Sequence, residues 1–212
     1  MGDLVPRSTQ LRDALLTTMS KPLLIFVLTL FAVIWFHEPT IEHEPGVLTP
    51  SAPIQVNLID ASSFKFRGYT LEPMAEFTRE ARVLSRKFYA NDRESELSPI
   101  DLALGWGPMS DSEVLQPFKF NQWGRWYRYK TSEWTIPKSD VIRHSANMHF
   151  IPSTPALKAK LESIVIGQIV HIEGALVNAH AEDGWSWKTS MSRKDDGAGS
   201  CEVIWLTSLE FR

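Results

Sequence analysis

QIVHIEGALVNA, residues 168–179, carries a single carboxylate and four β-branched residues, and reads as one long strand. Gly167 punctuates the chain before it, and Asp183-Gly184 is a tight-turn signal after it. Trp185–Ser192 then reads as the return strand. A loop over Arg193–Ser200 leads into Cys201–Leu209, where Cys201, Val203, Trp205, Thr207 and Leu209 alternate onto one face. Three strands need further strands or a covering helix to be stable. Upstream, Ile54–Leu58 and Phe64–Phe66 read as strands, and Phe118–Phe120 with the aromatic run Trp123–Lys130 reads as a strand pair or hairpin. Met74, Phe77, Ala81, Leu84 and Phe88 recur at spacings of 3, 4, 3 and 4, which predicts a helix over 72–90 with a core-facing stripe. Asp111-Ser112-Glu113 can start one short helix. Thr154-Pro155 supplies an N-cap and first-turn proline for a helix over 155–164. The expected class is α+β, a mainly antiparallel sheet or small barrel with two packed helices.

The N-terminus reads differently. Pro22–Phe36, PLLIFVLTLFAVIWF, has no charge, and extended back to Leu15 it gives a helix of about 33 Å, enough to cross a hydrocarbon core of about 30 Å. Lys21 then snorkels to one interface, and Trp35 and Phe36 sit at the other. No small residues follow Phe36 to make a cleavage site, so an anchor is expected over a signal peptide. Arg7, Arg12 and Lys21 precede the span, and no Lys or Arg follows until Lys65, which orients the N-terminus inward. The expected organisation is a cytoplasmic N-terminus (1–14), a transmembrane helix (15–36), a Pro/Glu-rich tether (37–53) and an extracytoplasmic domain (54–212). In a bacterium this means a single-pass protein of the inner membrane with a periplasmic domain. Leu4–Ser8, LVPRS, resembles a protease-site scar and carries no structural weight.

The full chain has 212 residues, 22 Lys+Arg against 25 Asp+Glu, a net charge of −3 and a pI near 6.1. That balance argues against a polyanion binder, so no nucleic-acid partner is expected. The lone Cys201 rules out an intrachain disulfide and a Cys-rich zinc site. Eight Trp and eleven Phe are the compositional oddity.

Three constellations can carry chemistry. Arg143–Pro152 places His144, Ser145, Asn147 and His149 in one extended stretch, a source of a general base or of backbone-satisfying polar groups. Two histidines five apart share no strand face and have no adjacent carboxylate, so no metal or cofactor is expected. The loop Ser190–Glu202, with Arg193, Asp195 and Cys201, lacks the spacing of a calcium loop or a phosphate loop. Catalytic candidates are therefore His144, His149, Arg193, Asp195 and Cys201, which need a common cleft. In the aromatic–basic run, Trp123, Arg125, Trp126 and Arg128 are interface candidates, suited to a protein hot spot or to headgroup level at a membrane.

The blocks SAN-x-H-x-IP (Ser145–Pro152) and SR-x-D-x-G-x-G-x-C-E (Ser192–Glu202), joined by GQIVHIEGALV, resemble a pattern in uncharacterised bacterial envelope proteins with one N-terminal span. The resemblance covers about 70 residues and implies a shared location and fold, with no activity to carry over. The expected function is a membrane-anchored accessory or assembly subunit that binds the extracytoplasmic face of a membrane protein complex. Its expected partners are the lipid bilayer and other membrane subunits. The alternatives are a membrane-anchored hydrolase or transferase with a His/Cys/Asp site, and a small-ligand or glycan-binding module with Trp platforms.

Overall fold

A computed structural model describes residues 39–192 and 201–212, with Leu23, Ile25 and Phe26 of the apolar segment. The chain divides into two units, Met1–Pro39 and Thr40–Arg212. In the first, Leu23, Ile25 and Phe26 are helical; the rest of the expected span, and LVPRS, lie outside the described residues. Among the described residues no helix is long and apolar enough to cross a membrane.

In the second unit the strands β1 (Ile54–Asn57), β2 (Phe64–Phe66), β3 (Tyr69–Phe88) and β4 (Ile100–Gly105) come first. Helix α1 (Ser112–Leu115) leads into the hairpin β5 (Phe118–Trp123) and β6 (Trp126–Thr131). Helix α2 (Lys138–Arg143), strand β7 (Ser145–Pro152), helix α3 (Pro155–Glu162) and strands β8 (Ile169–His180), β9 (Ser186–Trp187) and β10 (Glu202–Phe211) complete it.

Five strands close into a barrel. The order is β3-β4-β7-β10-β8, and β8 pairs back onto β3; every pair is antiparallel except β7 with β10. Counted along the chain these neighbours run 1-2-3-5-4-1, with α3 between the third and fourth strands, the connectivity of OB-type Greek-key barrels. Alternate residues fill the interior: Phe77, Ala81 and Val83 of β3, Leu102 and Leu104 of β4, Met148 and Phe150 of β7, Ile172 and Leu176 of β8, Ile204 and Leu206 of β10. Leu161 of α3 and the following Ile164 join them as buried apolar cover. The Thr154 side chain accepts the Leu157 N–H and so caps α3 where the sequence placed its start.

The helix expected over 72–90 is instead most of β3. Ala75, Phe77, Arg79, Ala81 and Val83 are all buried, a period of two. Arg79 hides that period, because a charge at an inward position reads as the wet side. Here it is 1% exposed, its guanidinium 3.8 Å from the Trp106 ring centroid and donating to the Ser51 carbonyl at 3.0 Å. The 20-residue strand would run about 66 Å if straight. Register shifts at Pro73/Ala75 and Val83/Ser85 bend it, so that it serves β8 and then β4. The bulges also redistribute the apparent stripe: Phe77 and Ala81 enter the barrel, Leu84 packs under the hairpin, and Phe88 is exposed.

Two further expectations are modified. The return strand after Asp183-Gly184 shortens to β9, beyond which Thr189 N–H donates to Asn178 Oδ1 at 3.1 Å and Ser190 N–H to the Cys201 carbonyl at 3.0 Å. In β10 a register shift between Leu206 and Ser208 ends the common face, so Val203 and Trp205 lie on one side while Leu209 joins the interior. From Thr40 the proline-rich segment expected to be a tether has no regular secondary structure and is fastened to the barrel. Ile41 N–H donates to the Ile166 carbonyl at 2.8 Å, His43 Nε2 to the Gly167 carbonyl at 2.8 Å, and Gly107 N–H to the Thr49 carbonyl at 2.8 Å.

Candidate functional site

The alternation that points Leu102 and Met148 inward points Asp101 of β4 and Ser145, Asn147 and His149 of β7 outward. All four are nevertheless buried, because the hairpin β5–β6 lies across them. Gln122 Nε2 donates to Asn147 Oδ1 at 2.6 Å. Ser145 Oγ donates to the Val141 carbonyl at 2.7 Å, so Tyr127 Oη donates to Ser145 Oγ at 2.6 Å. Burial pushes the Tyr127 phenol up to about 12.

The hairpin turns on Gly124 and Arg125, with φ of 58° and 66°. Two central residues at positive φ suit the twist of a two-residue loop. The second is not glycine, and what holds it there is its side chain. Arg125 Nε and Nη2 each donate to the Asp92 carboxylate at 2.8 Å, Nη1 donates to Asp101 Oδ1 at 2.7 Å, and Nη2 also donates to the Ser98 carbonyl at 3.0 Å. The guanidinium lies 3.9 Å from the Tyr89 ring centroid and 5.7 Å from that of Trp187. Its carbonyl accepts from Asn147 Nδ2 at 3.1 Å. Burial works against the Arg125 charge, but the hydrogen bonds and field of Asp92 and Asp101 outweigh it and raise the Arg125 pKa. In return the Arg125 hydrogen bonds hold the Asp92 carboxyl below its ordinary value.

His149 completes the cluster. Its Nδ1 lies 2.8 Å from Asp101 Oδ1, off the direction of a hydrogen bond, and its ring centroid is 4.8 Å from that of Trp187. Asp101 Oδ2 and Gln122 Oε1 are buried beside it without hydrogen-bond partners.

The two sequence blocks do meet: β7 and β10 are parallel neighbours, with Met148 opposite Glu202. This brings Cys201 Sγ 4.0 Å from Asn147 Nδ2, on the face that carries His149. His144 is apart from them, at the C-terminus of α2, its Nδ1 donating to the Asp140 carbonyl at 2.8 Å. Arg193 and Asp195 lie outside the described residues. Of the interface candidates, Trp123, Trp126 and Arg128 are exposed, whereas Arg125 turns inward. Among the described residues no His/Cys/Asp/Glu group is arranged to hold a metal ion. A shallow cavity of about 330 Å³ opens elsewhere, lined by Arg67, Tyr69, Arg93, Glu96 and Asp183; Arg93 is ion-paired with Asp183, the Glu96 carboxylate accepts from Tyr69 Oη, and Arg67 donates to the Glu96 backbone carbonyl.

Asp92, Asp101, Tyr89 and Trp187 were not singled out from sequence. Asp101 carries a signal, a lone carboxylate within the apolar run Ile100–Leu104. Asp92 and Tyr89 carry none, since their role depends on a hairpin tip more than thirty residues away. No protein-family model matches the chain, and neither does any curated protein or solved structure.

Proposed function

We propose that this protein is a membrane-anchored accessory or assembly subunit, whose barrel docks on the extracytoplasmic face of a membrane protein complex. The observation that carries the reading is the free edge of β1. This strand pairs with β3 on one side, and among the described residues no strand pairs with its other side. Ile54 and Val56 are 62% and 53% exposed there, and the nearby Ile59 is 89% exposed. Natural edge strands are normally blunted by charge, proline or cover. A short free edge that carries two exposed apolar side chains suits a partner protein that adds a strand to it.

The hydrolase or transferase alternative needs substrate to reach His149 or Cys201. OB-type barrels receive ligands on the face of their second and third strands. Here that face is β4 and β7, and it is closed by the hairpin and the Arg125 ion pairs, with Asp101 fully buried and His149 2% exposed. This weighs against catalysis at that cluster and favours a binding role.

The test is affinity purification of the full chain from its membranes in mild detergent, beside an Ile54→Lys/Val56→Lys variant. The reading expects a stoichiometric membrane complex with the native chain and its loss from the variant. A clean monomer in both cases overturns it.

A further inference from the structure

The hairpin that seals the barrel face has a second side. The pleat of β5 sends Lys119, Asn121 and Trp123 to solvent, and that of β6 sends Trp126, Arg128 and Lys130, all exposed. Across the ribbon the partners are Lys119 with Lys130, Asn121 with Arg128, and Trp123 with Trp126. The result is a six-residue face with three cations, two indoles and no carboxylate. Two lysines directly opposite one another repel, which disfavours the hairpin. Among the described residues none of the three cations is ion-paired. The face is also pre-organised, since Gln122, Arg125 and Tyr127 on the opposite side are hydrogen-bonded to the barrel.

We propose that this face rests on the anionic headgroups of a phospholipid surface. Indoles beside Lys and Arg match the chemistry of the membrane–water interface, where the ring takes the headgroup level and the cation meets phosphate. A protein partner is the weaker match, because lysine is depleted at protein interfaces. The chain's net charge of −3 disfavours a nucleic acid. Each basic residue near an anionic surface contributes a factor of about five, so three give roughly a hundredfold preference over a neutral one. That is too weak to recruit a free protein firmly. It is sufficient to orient a domain already held at the membrane, and the inference to that extent rests on the anchored reading.

The test uses the full chain in nanodiscs of phosphatidylcholine alone or with one third phosphatidylglycerol, read by hydrogen exchange over residues 118–131. Slower exchange only in the anionic discs is expected, abolished by K119E/R128E/K130E and kept by K119R/K130R. Equal exchange in both discs, or protection that survives the charge reversal, overturns the proposal. A chain that stays out of the discs sinks the anchored reading instead. The ribbon is then read by co-sedimentation over a lipid titration carried to concentrations at which weak binding registers, with vesicles of the two compositions, where equal binding overturns it.

Discussion

Arg125 and Asp101 form a deeply enclosed ion pair: 2.7 Å from nitrogen to oxygen, with the aspartate fully buried and the arginine side chain 13% exposed. One partner is at the tip of a hairpin and the other near the start of a barrel strand, so the pair clamps β5–β6 onto β4. A buried carboxylate that loses its cation is left charged in a poorly solvating site.

Arg125→Ala is therefore expected to destabilise the domain by about 3–5 kcal/mol, the cost of orphaning a buried charge. Arg125→Lys should fall between it and the native protein, since an ammonium cannot reproduce the two-nitrogen grip on Asp92. Urea unfolding measures both; a loss under about 1 kcal/mol for the alanine variant contradicts the clamp.

The acid side of the stability curve should report Asp92. Its folded pKa is lowered, chiefly by the Arg125 hydrogen bonds. The stabilisation is complete above the unfolded value, near 3.9, and is lost as pH falls through the lower folded value. Asp92→Asn should be less stable at neutral pH and should show a flatter decline between about pH 5 and 2. Thermal unfolding across that range checks it, and parallel curves would exclude the assignment.

On the alkaline side, Tyr127 should ionise near 12, well above exposed tyrosines. Burial favours the neutral phenol, so its contribution is whole below the unfolded value near 10 and declines as pH climbs toward 12. In an ultraviolet titration Tyr127→Phe should delete a late-titrating phenol. If the deleted phenol titrates near 10, the hydroxyl is not buried beneath the hairpin.

Two glycines at similar dihedrals separate backbone strain from packing. Gly167 and Gly184 have φ of 86° and 91°. A Cβ at Gly184 meets open space, while one at Gly167 would sit 1.9 Å from the Ile41 carbonyl oxygen. Gly184→Ala should cost about 1–2 kcal/mol from the left-handed backbone alone. Gly167→Ala should cost more and speed proteolysis within residues 41–49, because the fastened segment must lift. Equal effects would mean that this segment is not held at Gly167.

Legibility followed the range of the interactions. The strand over 168–179, the cap of α3 and the aromatic hairpin were readable because neighbours in sequence decide them: β-branched runs, a threonine before a proline, paired aromatics around a glycine. The error over 72–90 came from a buried charge. Arg79 broke a two-residue period that partners distant in sequence, Trp106 and Ser51 among them, make tolerable. The site was half readable. His149 and Cys201 were picked out and do share a face, while the Arg125 clamp over it was read as exposed surface.

By itself, the amino-acid order determined the strands β1, β2, β8 and β10, the hairpin β5–β6, the helices α1 and α3, the slight negative charge and the indole-rich, basic stretch, since all of these rest on composition and on spacing along the chain. Tertiary structure alone decided that the sheet closes on itself and that β7 and β10 run parallel. It also decided which side of the hairpin meets the barrel and which meets solvent. Closure and sealing depend on hydrogen bonds and ion pairs between residues 18 to more than 100 positions apart, and no local pattern encodes such partners.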